Sequence, residues 1–482
     1  MPQRKGERPE AAGLGRAGPA AGLVGGLAAG LVVLAIGSLL QALVLLGPGA
    51  PGGPAAYDER AFHRPVIEGF VEAWPAPNLR EYRVASAPGY HLTVAGVWAA
   101  ADVPLGVSRW LSGQGALLLA GLVAWWCSGR GGTAFGVLAG VVVLLADSIA
   151  PQTVLLLPEA WAWLGVWVLV SLAATPGPGS RRFAFGRLAA MGAVLALLVF
   201  VRQVHLWAAA LVWMAAWLDA VDRGSHERAF EGLLPSVSEL RLRERLPMTA
   251  IGFAATVPAF MVVGWLFWLW DGPVPPGFQA TRTEPEGSVH SGGNPATPAL
   301  VLSVLGLYGP MLLTPVLGLI WQDLALRRRA WRLAAIGGAI GLVASLAVAT
   351  SPDKDAGRWT GLWDLGGRLP IVADRSLLIA GLSAVGGASL GVALSVAASR
   401  ARLVMLGALV AFTAAQSANQ QAWIRYAEPM VLMTMLVLVA SALDCRGGPR
   451  GGRVRWWLLA GPAVAAVFVA TRSLPDLLSR AG

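Results

Sequence analysis

Apolar runs of membrane-crossing length recur from one end of this 482-residue chain to the other, and nothing else in it limits the fold so strongly. A helix needs about 17–25 mostly apolar residues to cross the hydrocarbon core. Such runs open at Ala21–Leu46 and return as far as Trp456–Thr471. Lipid offers backbone groups no water, so each run must close its own hydrogen bonds as a helix. Charged residues make up only 13% of the chain, too few to cover several soluble domains with polar surface. The fold class is therefore an all-α polytopic membrane protein.

The charge map orders the runs. The net charge of +10 has no soluble basic domain through which to engage nucleic acid. Lys and Arg instead accumulate in cytoplasmic loops. By that rule Arg4–Arg16, Arg181–Arg187, Arg223–Arg245, Arg327–Arg332, Arg400–Arg402 and Arg446–Arg455 lie inside. Residues 1–20 read as a basic cytoplasmic tail and 21–482 as one transmembrane domain. The first run is too long for the core of a cleaved signal. The stretch from Phe185 to Leu218 must cross twice, turning outside near Arg202, Gln203 and His205. Tyr90–Pro104 reads as a half-helix on the outer face and Leu111–Cys127 as a crossing. Leu138–Leu145 and Trp161–Leu172 read as a hairpin that turns outside around Asp147 and Pro151. Met248–Trp270, Ala299–Trp321, Leu333–Thr350, Leu377–Ala397, Leu403–Ala415, Met430–Leu443 and Trp456–Thr471 complete about 13 spans.

Small residues give a packing code. Gly22, Gly26 and Gly30 share a helix face, and Gly337 with Gly341 and Gly387 with Gly391 repeat the spacing that lets membrane helices approach closely. The two cysteines, Cys127 and Cys445, fall at the basic side, where a structural disulfide or thiolate metal site is not expected.

Polar chemistry concentrates in the outer segments. The loop 48–89 carries Asp58, Glu59 and His63. Adjacent acids and a histidine at an interface suit a general base, and they also suit an ordinary solvated loop. Its prolines favour short interfacial helices, and Trp74, Tyr82 and Tyr90 suit the headgroup belt. Arg202, Gln203 and His205 form a turn where an arginine meets a lipid phosphate or snorkels to headgroups. Arg425 with Tyr426 and Glu428 offers a phosphate ligand or an intrahelical ion pair. Trp270 and Asp271 precede Gly272, where a Gly-Pro turn alone explains the spacing. Walker, Gly-x-Gly-x-x-Gly, His-Glu-x-x-His and Cys-x-x-Cys motifs are absent. No metal or cofactor is expected.

Several of these segments, in order, resemble one family. YDERAFHRP, WPAP and PGYHL resemble the first outer loop of the alpha-1,2-glucosyltransferases that add the terminal glucose in N-glycan assembly. VRQVHLW resembles that family's Arg-Gln turn. WDGPVPPGF resembles its Trp-Asn-Gly segment, with Asp271 in place of Asn, and RYAEP resembles a late segment that is only partly matched. The likeness runs from about residue 57 to 430; the spans between share hydrophobicity only. It implies a GT-C-like bundle of transmembrane helices, short amphipathic helices in the first outer loop, and a polyprenyl-phosphate sugar as donor. Under it Asp58, with Glu59 beside it, forms the catalytic pair, with Asp58 the base in an inverting transfer. Arg202 and Arg425 hold the donor phosphate, where fixed cations stabilise developing charge. His63, Gln203, His205, Trp270, Asp271, Tyr426 and Glu428 then contact substrate. The Ala, Gly and Arg bias is that of a high-GC bacterium. The expected setting is thus a bacterial plasma membrane, with a cell-envelope glycan or glycolipid as acceptor and membrane lipids as surroundings. A transporter or flippase of lipid-linked substrates, which places polar groups mid-span in paired repeats, is the competing reading, as is an inactive family member.

Overall fold

The computed structural model describes residues 19–47, 53–176, 181–220, 242–280, 292–445 and 456–478. The expected tail 1–20 falls almost wholly outside these residues, as do most of the basic stretch 223–245 and all of 446–455.

Every run assigned to a crossing forms a helix. In chain order these are α1 (Pro19–Leu45), α5 (Leu105–Gly131), α6 (Thr133–Leu144), α7 (Glu159–Ala174), α8 (Arg181–Val201), α9 (Ala209–Asp219), α10 (Leu242–Trp270), α12 (Thr297–Gln322), α13 (Leu324–Leu346), α15 (Leu377–Val396), α16 (Ser399–Ser417), α17 (Ile424–Cys445) and α18 (Ala460–Leu478). Among the described residues, 8 helices are long and apolar enough to cross a membrane. The short elements α2 (Gly53–Asp58), α3 (Arg64–Glu72), α4 (Gly89–Ala101), α11 (Pro276–Ala280) and α14 (Leu362–Gly367) lie between them. Among the described residues, one short hairpin pairs Ile371 with Ser376 and Val372 with Arg375.

Burial sorts centre from periphery. The apolar window of α17 is 94% buried, whereas that of α10 is 22% buried. Helix α17 is thus the axis of the bundle, and α10 turns Phe260, Met261 and Trp268 outward, as a lipid-facing helix should.

Glycine sets one of the tight crossings. A Cβ on Gly337 would collide with the carbonyl oxygen of Gly387, and one on Gly387 with that of Gly337. The backbones of α13 and α15 therefore touch where the small-residue spacing places them. In α1, Gly26 and Gly30 meet Trp125 and Gly121 of α5, while Gly22 meets nothing. The expected three-glycine face works through two.

Contacts gather the polar groups at two ends. At one end, Asp219 joins both Arg187 and Arg400. There Arg400 donates to Ala173 O at 2.7 Å, Arg130 to the Thr175 hydroxyl at 3.1 Å, and Arg245 to Trp217 O at 2.9 Å. The basic clusters within the described residues at α8, α10 and α16 thus share this end. The first loop, the Arg202 turn and the start of α17 meet at the other.

The first loop is folded rather than loose. After α2 comes a π-helical turn, Glu59–His63, and then α3. Helix α3 is amphipathic: Val66, Ile67 and Phe70 pack on Tyr82, Val84 and Trp270, while Glu72 and Arg64 face outward. The irregular stretch that follows is pinned from other loops. Trp270 Nε1 donates to Leu79 O at 2.9 Å. Gln203 donates to Ala85 O at 2.8 Å and accepts from Ala87 N at 2.7 Å.

Candidate active site

Five separated segments converge at the end of the bundle opposite Asp219. The π-helical turn brings in Asp58 and His63, the start of α4 brings His91, the start of α7 brings Glu159, and the turn after α8 brings Arg202. The start of α17 adds Arg425.

Asp58 and Arg425 form the outer part. Arg425 Nη1 lies 2.6 Å from Asp58 Oδ2, with side chains 41% and 27% exposed respectively. Both groups are therefore accessible from outside the bundle. The guanidinium also lies over Trp423, 4.5 Å from the ring centroid, and over Tyr426 at 5.3 Å. Its direction is thus fixed by a carboxylate and two aromatic faces, which suits arginine's planar, stacked mode of binding.

Glu159 and Arg202 form the inner part. Arg202 Nη1 donates to Glu159 Oε1 at 2.8 Å. Gln152 Nε2 donates to the other oxygen at 3.3 Å. Glu159 opens α7, where the free backbone N–H groups of a helix start favour a carboxylate. Sequence reasoning missed it. The available signal was Pro158-Glu159 at the head of an apolar run, an acid in a helix first turn.

A histidine pair sits behind these ion pairs. His63 Nδ1 and His91 Nε2 are 2.9 Å apart, and the two rings are nearly coplanar, with an interplanar angle of 8°. The contact is set by a close backbone crossing: a Cβ on Gly89 would stand 2.5 Å from Phe200 O, so only glycine lets α4 start against the end of α8. Burial lowers the pKa of His63, with Arg202 and Arg425 adding to the effect and Glu159 and Asp58 opposing it. Burial also pushes His91 well below its usual range, and the facing His63 adds to this. His63 thus responds to the charges of Glu159, Arg202, Asp58 and Arg425, which makes the six residues one electrostatic unit.

The other expected site residues have different surroundings. Glu59 is fully buried; Arg109 holds it through Nη2 at 2.8 Å and Nε at 2.9 Å, and Leu156 N donates to its second oxygen at 3.3 Å. Gln203 and Trp270 pin the first loop, as described above. Asp271 is exposed, with φ of 53°, and ends α10 where Gly272 N returns to Phe267 O. His205 is 3% exposed and lies edge-on to Trp163; burial, then Arg202, pushes its pKa down to about 3.

Glu428 faces away from Arg425, so the intrahelical pair that the spacing allowed does not form. Its carboxylate, fully buried, accepts from Ser148 N at 2.9 Å, from Ser148 Oγ at 2.8 Å and from the Tyr308 hydroxyl. It ties α17 to α12 and to the turn after α6.

Among the described residues, no cluster of three or more His, Cys, Asp or Glu has the arrangement to hold a metal ion. Chemically, the assembly offers two part-exposed carboxylates, Asp58 and Glu159, each paired with a guanidinium group, beside a buried histidine pair at the bundle's end.

No family model and no curated protein matches the chain. Among solved structures it is similar to the crystal structure of ArnT from Cupriavidus metallidurans in the apo state, at 13% sequence identity and a TM-score of 0.34, over 86% of this chain and 77% of that one. A similarity of that size assigns no residue a role.

Proposed function

We propose that this protein is a membrane glycosyltransferase of GT-C type that moves a hexose from a polyprenyl-phosphate donor to a glycan or glycolipid acceptor. The observation that carries the reading is the accessible Asp58–Arg425 pair, 2.6 Å apart, beside the Arg202–Glu159 pair. One carboxylate able to take a proton stands next to two cations able to take a phosphate.

The reaction is a single displacement. An acceptor hydroxyl oxygen attacks the anomeric carbon, its proton passes to Asp58, and the bond from that carbon to the phosphate oxygen breaks. Attack from the face opposite the leaving group inverts the anomeric centre. The electron pair departs with polyprenyl phosphate, whose growing negative charge Arg425 and Arg202 stabilise. Fixed cations act strongly in a poorly hydrated site because they need no reorganisation as charge develops. The ion pair with Asp58 uses Oδ2. An arriving phosphate competes for Arg425 and leaves the carboxylate available to the acceptor hydroxyl.

The setting is a bacterial plasma membrane, with the basic end of the bundle in the cytoplasm and the Asp58 end outside. The donor's lipid places its phosphate at the depth of the Arg202 turn.

The test is reconstitution with labelled polyprenyl-phosphate hexoses and an acceptor pool, comparing wild type with Asp58→Asn. Transfer by wild type and its loss in the variant are expected; full activity in the variant removes Asp58 from the chemistry. Sidedness is read separately with Tyr57→Cys, since Tyr57 is 59% exposed. Labelling by an impermeant reagent only after cells are opened would overturn the orientation.

A further inference from the structure

At the end of the bundle away from Asp58, α13 opens on Arg327, Arg328, Arg329 and Arg332. Helix α12 starts at the Asp58 end, where Asn294 just before it donates to Gln420 O at 2.7 Å. Its own end and the start of α13 therefore lie at the other end, with Asp219. Arg328 and Arg332 are exposed and Arg327 is half-buried. Arg329 is engaged within the protein. Among the described residues, none of the other three takes part in an ion pair.

The arrangement runs against helix electrostatics. A helix start carries partial positive charge and disfavours cations, and Arg328 and Arg332 are like charges one turn apart. Asp323, the acid beside them in the chain, caps the helix: its Oδ1 accepts from Ala325 N at 2.9 Å and from Leu326 N at 3.0 Å. One carboxylate stands against three guanidinium groups and a helix start. Further along, the same face is apolar. Ile336, Ile340 and Val343 follow Arg328 and Arg332 at helical spacing, and each is more than half exposed. Gly337 and Gly341 meanwhile hold another side of α13 on α15. Only 28% of the apolar window of α13 is buried, so most of it faces lipid. Trp321 and Trp331, both exposed, flank the arginines, and the Arg327 guanidinium lies 5.8 Å from the Trp321 ring centroid. Exposed tryptophan suits the headgroup layer.

We infer that this face of α13 binds an anionic phospholipid, with its phosphate held by Arg328 and Arg332 and its acyl chains laid along Ile336, Ile340 and Val343. Side-chain direction supports this. The Cα–Cβ bonds of a helix tilt toward its N-terminus, so both arginines reach back toward the helix start and the headgroup layer, out of the hydrocarbon. Arginine's planar fork pairs with phosphate through two hydrogen bonds, and each Lys or Arg at an anionic surface adds to the attraction. A zwitterionic headgroup brings its own cation and gains less. A soluble anion or an acidic protein would meet the arginines but not the apolar stripe that continues from them into the bilayer. The inference concerns the end of the bundle opposite Asp58 and does not depend on the transferase reading.

The full-length protein in detergent is titrated with phosphatidylglycerol, or with phosphatidylcholine of the same acyl chains, and bound lipids are counted by native mass spectrometry. Wild type is expected to hold phosphatidylglycerol about tenfold or more tightly than phosphatidylcholine. Arg328→Gln and Arg332→Gln should each weaken phosphatidylglycerol binding about fivefold, and the double variant about 25-fold, with phosphatidylcholine binding unchanged. The single variants remain informative if the double variant fails to fold. Arg80→Gln, which removes an exposed arginine of the first loop, should change nothing. Phosphatidylglycerol should also raise the melting temperature of wild type and not of the double variant, since a ligand of the folded state stabilises it. Equal binding of the two lipids by wild type would overturn the inference, as would phosphatidylglycerol binding unchanged in the double variant. An equal loss in Arg80→Gln would reduce the effect to net charge and overturn it too. Stabilisation by free glycerol phosphate equal to that by the lipid would assign the arginines to a soluble anion instead. Dimers that disappear in the double variant, without any lipid preference, would assign the face to a second copy of the chain.

Discussion

Asp58 and Arg425 stand 367 positions apart in the chain, yet Arg425 donates to the Asp58 carboxylate at 2.6 Å. Side chains 41% and 27% exposed form the kind of pair that contributes only about 0–1 kcal/mol to stability. Its position at the meeting of the first loop and the axial helix therefore needs a reason other than holding the fold. Asp58→Asn keeps size and shape and removes the proton acceptor. The melting temperature in detergent should move little, while the transfer rate should fall by about 100-fold or more, the scale of general-base catalysis. A variant that melts much earlier and transfers normally per folded molecule would contradict this.

Arg202 and Arg425 are expected to act on the donor phosphate by different routes. Arg202 is oriented by Glu159 and Arg425 by Asp58 and two rings, so lysine substitutes for neither. A hydrogen bond to a charged partner is worth about 1.5–3 kcal/mol, or roughly 10- to 100-fold in binding. Arg202→Lys and Arg425→Lys should each raise KM for the polyprenyl-phosphate donor on that scale. Glu159→Gln should reproduce part of the Arg202→Lys effect. If donor KM is unmoved in all three, the phosphate is bound elsewhere.

The helices were legible because hydropathy is additive along a chain: each apolar run from Ala21 to Thr471 became a helix. Of the charge map, the clusters at α8, α10 and α16 share one end, where Arg187, Arg245 and Arg400 gather near Thr175, Trp217 and Asp219. How the polar residue types of the outer loops come together was not legible in the sequence. That Asp58 would face Arg425, and that Glu428 would turn from Arg425 to Tyr308 and Ser148, depends on the rotation of α17 about its axis. Spacing alone allowed the Arg425–Glu428 pair equally well. Gln203 and Trp270 read as surface chemistry because their backbone partners, Ala85, Ala87 and Leu79, lie far away in sequence. Glu159 was passed over because it opens a run that otherwise reads as plain lipid-facing helix.

The His63–His91 pair predicts a pH dependence of stability. The 2.9 Å contact between ring nitrogens needs one donor and one acceptor, so at least one ring must be neutral. Burial lowers both pKa values in the folded protein, whereas unfolded rings titrate near about 6.5. The pair's contribution is therefore complete above that value and is lost as pH falls toward the folded pKa values. The slope is at most about 1.4 kcal/mol per pH unit for each histidine. Melting curves from pH 8 to pH 5 should show wild type losing stability below pH 6.5 more steeply than the double variant His63→Gln, His91→Gln. Equal slopes would show that the rings do not titrate with unfolding.

Adjacent acids make the sharpest contrast. Glu59 follows Asp58 directly, but the π-helical turn sends it into the bundle. There it is fully buried, held by Arg109 at 2.8 Å and by the backbone N–H of Leu156 at 3.3 Å. Removing one partner of a buried pair typically costs about 3–5 kcal/mol, because the other charge is left without compensation. Glu59→Ala should therefore lower the melting temperature clearly and reduce the yield of folded protein. Arg109→Met, which strands the carboxylate instead, should do the same. Replacing both, as Glu59→Leu with Arg109→Met, should recover part of the loss, since no unpaired charge remains. Transfer per folded molecule should stay near wild type in all three, in opposition to Asp58→Asn. A 100-fold loss of turnover in a well-folded Glu59 variant would place this buried acid in the chemistry, and the separation of roles between the two neighbours would fall.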